Sequence, residues 1–225
     1  MASFEQHLNG AVIATGVAIA PLHSASLINV EQSLIVLGLG VIGGVLPDLD
    51  SDNSKPIQIV FKIFSIFLPL LIILSIADNL SLLYLIGAWL ASSLILNLTL
   101  FKLFLTLTTH RGIFHSIPMG IFLGQVTMYI FYKQLHYDII FSTIAGGFLL
   151  FGFLIHLLLD ELVSLNALGI SIKKSFGTAF KLYDRKNMFG TIFLYIAIVT
   201  FFFFIPLKLD IFIDIFEIMR NIKLF

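Results

Sequence analysis

Apolar stretches separated by short polar breaks run through almost the whole chain. About seven can be marked, roughly 10–28, 33–46, 57–77, 81–107, 117–132, 139–158 and 189–206. None alternates with the period of a strand, so the pattern predicts an all-α chain of about six to seven apolar helices. The second and fifth stretches fall short of the roughly 20 residues that span a bilayer core, which fits helices buried among others or crossing part of the membrane. Asp78-Asn79 joins the third to the fourth, and Gln134–Asp138 joins the fifth to the sixth. Such short connections make neighbouring helices antiparallel.

Composition turns this helical pattern into a membrane protein. Of 225 residues, 59% are hydrophobic and only 12% charged, about half the charged share of a water-soluble domain. The reading is one polytopic, multi-pass integral membrane domain over residues 1–225 with the lipid bilayer as its partner; the resemblance given below implies a bacterial cytoplasmic (inner) membrane. No Lys or Arg precedes the run from Gly10, so the first apolar segment lacks the charged start of a signal peptide and is read as retained.

The long polar connection 160–188 carries Lys173, Lys174, Lys181, Arg185 and Lys186, which the positive-inside rule places in the cytoplasm. Counting spans back from it puts residues 1–9, the Pro47–Pro56 loop and Thr108–Ser116 on the same side. Phe212, Ile215, Phe216 and Met219 recur at helical spacing and predict an interfacial amphipathic helix over 207–225. Zero net charge and no polybasic tail argue against direct nucleic-acid binding. Without cysteine, any metal must be held by histidine and carboxylate.

Three polar clusters interrupt the apolar chain. In Pro47-Asp48-Leu49-Asp50-Ser51-Asp52, proline disfavours a helical Leu46 and should end the second span. In an extended loop the alternate spacing would turn Asp48, Asp50 and Asp52 to one side, where a divalent cation offsets their repulsion. The plain alternative is a solvated acidic turn. The second cluster, His110-Arg111-Gly112-Ile113-Phe114-His115-Ser116, holds two imidazoles with a glycine that permits a turn between them. Read plainly, Arg111 is a membrane-face anchor and the histidines are interfacial hydrogen-bonders. In the third, His156 and Asp160 stand one helical turn apart and can share a metal, or simply share a hydrogen bond.

The span count brings all three clusters, and His7, to the cytoplasmic membrane face. Ionisable groups held together in apolar helices mark a functional site. Their mixture of imidazole and carboxylate suits zinc, manganese or iron better than calcium; a divalent ion is expected, zinc first, with manganese or magnesium as alternatives. Metal ligands are expected among Asp48, His110, His115, His156 and Asp160, with Asp50 as a ligand or an orienting group. His7, Asp52 and Ser116 are further candidates. Arg111 is the natural grip for a phosphate oxygen, and Lys173, Lys174 and Lys181 can draw an anionic headgroup. His23 and His136 fall on the opposite face.

In order, Pro47-Asp48-Leu49-Asp50, His110-Arg111-Gly112-Ile113-Phe114-His115-Ser116 and His156-Leu157-Leu158-Leu159-Asp160 resemble the bacterial inner-membrane metal-dependent hydrolases described as LexA-binding, the YdjM-like proteins. That family's early histidine element ends in a glycine, which His7-Leu8-Asn9-Gly10 matches one place early, and Phe114 stands where threonine is frequent. The resemblance spans about residues 5–185. It implies a membrane-bound, metal-dependent hydrolase; a phosphoester, including a phospholipid, is the substrate class that fits Arg111 and the lysines. The rival expectation is a non-catalytic membrane protein that uses the same polar face to hold a metal or dock a regulator. LexA binding and the oligomeric state cannot be read from any residue.

Overall fold

The computed structural model describes residues 3–50, 65–66, 69–70, 73, 81–107, 113–164, 180–185 and 187–205. Their regular structure is helical: α1 (Phe4–Ser24), α2 (Val30–Val45), a 3-10 turn (Leu46–Asp50), α3 (Leu82–Leu107), α4 (Ile117–Tyr129), a π-turn (Ile130–Gln134), α5 (Ile139–Ser164) and α6 (Met188–Phe204). Two helical stretches, Val30–Asp48 and Ile139–Val163, are long and apolar enough to cross a membrane; Leu82–Leu96 and Met188–Phe204 are apolar but shorter. The apolar stretch 57–77 falls mostly, and the segment 207–225 wholly, outside the described residues.

The helix ends depart from the apolar pattern where polar caps act. α1 begins at Phe4, well ahead of the apolar run. The Gln6 amide donates to Ser3 Oγ and the Ser3 amide to Gln6 Oε1, at 3.3 and 2.7 Å, a reciprocal capping box that fixes the first turn. Residues 4–9, expected as a tail, are therefore helical, and this carries His7 into the bundle. Asn29 and Gln32 start α2 in the same way. Removing the first cap should cost about 1 kcal/mol, so Ser3→Ala is expected to lower the detergent melting temperature by a few degrees, a shift that thermal unfolding of the purified chain will read.

As far as Asp50, the acidic segment is not extended. α2 tightens into the 3-10 turn through Leu46, which keeps right-handed helical angles (φ −53°, ψ −42°) and donates its amide to the Ile42 carbonyl. Pro47 ends the α-helix, as expected, but does not expel Leu46 from helical space; proline is tolerated at the start of a new turn, where its missing amide has no partner to lose. The backbone through Asp48 to Asp50 is therefore coiled, and Asp52 lies outside the described residues.

The chain divides into two compact units, Met1–Asp48 with Gly112–Phe225, and Leu49–Arg111. In the first, α2 lies against α1 and α5 with almost nothing between the backbones. A Cβ on Gly152 would strike the Gly40 carbonyl oxygen, one on Gly43 the Leu149 carbonyl oxygen, and one on Gly44 the Ala11 side chain. Small residues let membrane helices approach this closely. One apolar cluster, with Leu22, Val36, Phe131, Phe141 and Ile144, packs the end of the bundle where α5 begins. A second, with Ile113, Met119, Phe153, Leu157 and Leu194, packs toward the other end. Phe201 of α6 meets Phe122 and Tyr129 of α4 edge to face. In the second unit, the Trp89 indole donates to the Ile66 carbonyl at 2.9 Å. Leu83, Leu90, Leu94 and Leu98 of α3 are exposed there, as suits a lipid-facing helix.

The polar break before α5 is built as its sequence suggests. His136 takes the left-handed conformation (φ 57°), and Asp138 caps α5 by accepting the Phe141 amide at 2.8 Å. α5 then continues to Ser164, beyond the expected end of its apolar stretch, and keeps His156 and Asp160 on one helix.

Candidate metal centre

Four elements meet at one end of the first unit. α1 brings His7 from its second turn, and the 3-10 turn after α2 brings Asp48. The turn before α4 brings His115, and the last part of α5 brings His156 and Asp160. Antiparallel helices make this possible, since each donor sits near the end of its helix that faces the same way.

The ring nitrogens point at the carboxylates. His7 Nε2 stands 3.3 Å from Asp160 Oδ1 and 3.9 Å from Asp48 Oδ2. His115 Nε2 is 4.0 Å from Asp48 Oδ1 and 3.9 Å from Asp160 Oδ2, and His156 Nε2 is 3.6 Å from Asp48 Oδ1. The His7 and His156 rings stack, with centroids 3.7 Å apart and planes 12° from parallel. His115 meets His156 edge-on at 5.3 Å.

The tautomer of His156 follows from its partner. Its Nδ1 lies 2.8 Å from the Gly44 carbonyl oxygen, and a carbonyl only accepts, so Nδ1 carries the hydrogen. Nε2 is left as a lone-pair donor facing the cluster. Gly44 lies in the last turn of α2, where carbonyls run out of partners within the helix. This backbone group orients a histidine as carboxylates and carbonyls orient metal-bound imidazoles elsewhere. Its role was not legible in the sequence, because only the packing of α2 on α5 brings residues 44 and 156 together.

Burial sharpens the chemistry. His7 and His156 are fully buried, and His115 and Asp160 nearly so; the Asp48 side chain alone among the five is a quarter exposed, at 26%. Among the described residues, no hydrogen bond reaches either ring nitrogen of His7 or Nε2 of His156. Buried polar atoms are normally satisfied, and leaving one bare costs about 1–3 kcal/mol. A cation beside the carboxylates would satisfy Nε2 of His7 and Nε2 of His156 together; Nδ1 of His7 would not share in it. Ligand atoms on a four-coordinate zinc stand about 3.4 Å apart, and those on a six-coordinate ion about 3.0 Å (adjacent) or 4.2 Å (opposite), for bonds of about 2.1 Å. The histidine–aspartate separations of 3.3–4.0 Å fall within that range, and all donor atoms within each of two overlapping groups lie within 4.8 Å of one another. Two overlapping donor groups, His7 with His156 and Asp160, and Asp48 with His115 and His156, could hold a metal ion.

Of the residues singled out from sequence, the structure gathers Asp48, His115, His156, Asp160 and His7. Ser116 instead caps α4, donating its hydroxyl to the Ile113 carbonyl and accepting the Met119 amide. Lys181 lies beside it in the chain path, its carbonyl accepting the Ile117 amide at 3.0 Å and forming a short parallel bridge. The Asp50 side chain and residues Asp52, His110, Arg111, Lys173 and Lys174 lie outside the described residues. His23 stands apart, against Ser33 Oγ at 3.4 Å, and His136 is exposed. His7 is only a secondary candidate on sequence grounds; the Ser3-x-x-Gln6 box is the signal that places it on a helix.

Apolar helices that enclose a buried histidine–aspartate cluster at one end define a helical membrane protein with a candidate metal centre. A family model described as YdjM inner membrane protein matches residues 1–209, and the chain belongs to that family. No curated protein and no solved structure matches the chain.

Proposed function

We propose that this chain is a multi-pass membrane hydrolase that cleaves a phosphoester, with phospholipids the first class to examine, at the cytoplasmic membrane face. One observation supports this most: five donors that could hold a metal converge in a water-poor site, and one of them, Asp48, reaches solvent. When bound, a divalent ion supplies Lewis-acid polarisation of a phosphoryl oxygen and a lower pKa for water beside it.

The chain's own groups do the rest. His7, His115, His156 and Asp160 hold the ion in a buried frame that excludes bulk water. Asp48 lies where substrate and water arrive, and its carboxylate oxygens can take a hydrogen bond from an attacking water and orient it. Arg111, four residues before His115 in the sequence, is assigned to the phosphate oxygens, where a guanidinium offers two parallel donors. Asp50 is assigned as an orienting acidic group and Lys173, Lys174 and Lys181 as attraction for an anionic headgroup.

The deep burial of four donors also favours a second reading, because a closed site with no exchangeable position holds a metal structurally. Hydrolysis of a chromogenic phosphodiester and of phospholipid in nanodiscs, with zinc or manganese supplied, separates the two. We expect metal-dependent turnover that falls at least about 100-fold in Arg111→Ala and Asp48→Asn, with unchanged elution as a folded particle. A metal-loaded chain that cleaves neither substrate class favours the structural reading.

A further inference from the structure

We infer that the chain entering α6, residues 180–189, is a binding site for an anionic phospholipid. The Arg185–Tyr183 pair takes the headgroup phosphate, and the apolar side chains around it enter the bilayer. Neither a bound metal nor hydrolysis is required for this.

Arg185 is fully exposed, and its partner among the described residues is a neutral group rather than a carboxylate. The Tyr183 hydroxyl oxygen accepts from its Nε at 3.3 Å and from its Nη2 at 3.2 Å. The guanidinium carbon lies 5.8 Å from the centre of the same ring. This occupies one side of the fork. Nη1 and the second Nη2 hydrogen remain, the pair that can grip two phosphate oxygens in parallel. The Tyr183 hydroxyl accepts both bonds and still has its own hydrogen to donate. Lys181–Lys186 holds three basic residues against Asp184 alone, so the segment as a whole attracts an anion.

The pair is carried on a fixed backbone. The Tyr195 hydroxyl donates to the Leu182 carbonyl at 3.0 Å, and the Asp184 amide donates to Thr191 Oγ1 at 3.1 Å. The Asn187 amide reaches the Asp184 carbonyl at 3.2 Å, while the Asn187 side chain caps α6 by accepting the Gly190 amide at 2.8 Å. A site held in this way loses little order when it takes a ligand.

The surroundings decide between a lipid and a free phosphate. Phe180, Leu182, Tyr183 and Met188 are exposed, and Phe189 is 85% exposed. Phe189, Phe193 and Ile196 follow at helical spacing, all more than half exposed, and carry the same apolar surface along α6. Facing acyl chains, that surface is the ordinary outside of a membrane helix. The guanidinium stands where it ends, three residues before α6 begins, the level at which tyrosine and arginine meet lipid phosphates. A free phosphate would engage Arg185 and Tyr183 and leave the apolar rim unused. An anionic phospholipid uses both.

The test uses the full chain in detergent, mixed with dioleoyl phosphatidylglycerol or dioleoyl phosphatidylcholine, with bound lipids counted by native mass spectrometry. The wild type should retain phosphatidylglycerol over phosphatidylcholine. Arg185→Ala should weaken phosphatidylglycerol binding about tenfold and Tyr183→Phe about threefold. Phe189→Ser, which alters no charge, should weaken it about tenfold. All three side chains are exposed, so the variants should elute and melt as the wild type does. Wild-type retention in any of the three, or equal retention of the two lipids by the wild type, would overturn the inference. Displacement of phosphatidylglycerol by an equal concentration of inorganic phosphate would show a free-phosphate site instead. An Arg185-dependent dimer in place of lipid adducts would show a protein contact, and either result rejects the lipid.

Discussion

His156→Gln is expected to lose tight metal binding, with affinity reduced by more than about 100-fold, beyond the 10–100-fold typical of altering a group that only orients a ligand. His156 belongs to both candidate donor groups and stacks on His7. Glutamine retains an amide that can donate to the Gly44 carbonyl, so the packing of α2 on α5 should survive while the nitrogen lone pair is gone. His156→Ala removes both, and the stranded carbonyl together with the cavity should add about 1–3 kcal/mol of destabilisation. A competitive titration against a metal indicator, run beside thermal unfolding, distinguishes the two variants. Wild-type affinity in His156→Gln would mean that the cluster holds its ion without that ring, contrary to the geometry.

The second large effect concerns packing. Gly152→Val should prevent stable folding, because its new side chain must enter space held by the Gly40 carbonyl and the Gly44 amide of α2. Overpacking ordinarily costs about 1–3 kcal/mol when side chains can move aside. Here the obstacle is backbone, so the helices themselves must separate, and a penalty above that range takes a large part of a typical stability of about 5–15 kcal/mol. Separation would also draw the Gly44 carbonyl away from His156, so whatever protein survives should bind metal poorly. Gly38→Ala, in α2 but facing open space, should be neutral or stabilising by up to about 1 kcal/mol. Size-exclusion profiles and melting temperatures in one detergent compare the pair. Equal behaviour would show that α2 and α5 are not as close as described.

Much of this arrangement could be read from the sequence, for specific reasons. The order of apolar segments and their antiparallel sense followed from hydropathy and short breaks, and together they brought Asp48, His115, His156 and Asp160 to one end before any coordinates. His156 and Asp160 were readable because helical spacing alone sets their relation. Three features were not. The place of His115 in the cluster depends on a turn with no periodic signal, and His110 lies outside the described residues. The path of Asp48 and Asp50 depended on how Pro47 would be accommodated, and a preference against helical Leu46 gave way to a tighter helix. The Gly44 carbonyl is a backbone group that every residue has, so its importance arises only from contact between segments 112 positions apart.

The spread of the donors along the chain also has a consequence for synthesis. His7 leaves the ribosome early, whereas His156 and Asp160 come from α5, about 150 residues later, a delay of about 8–30 s at ordinary elongation rates. During that interval α1 and α2 can pair through their small residues, but two of the five gathered donors, and the neighbour on which the His7 ring stacks, are still missing. A nascent chain arrested before α5 should therefore take up no metal, and loading becomes a late event in biogenesis that reports when the helical bundle has closed.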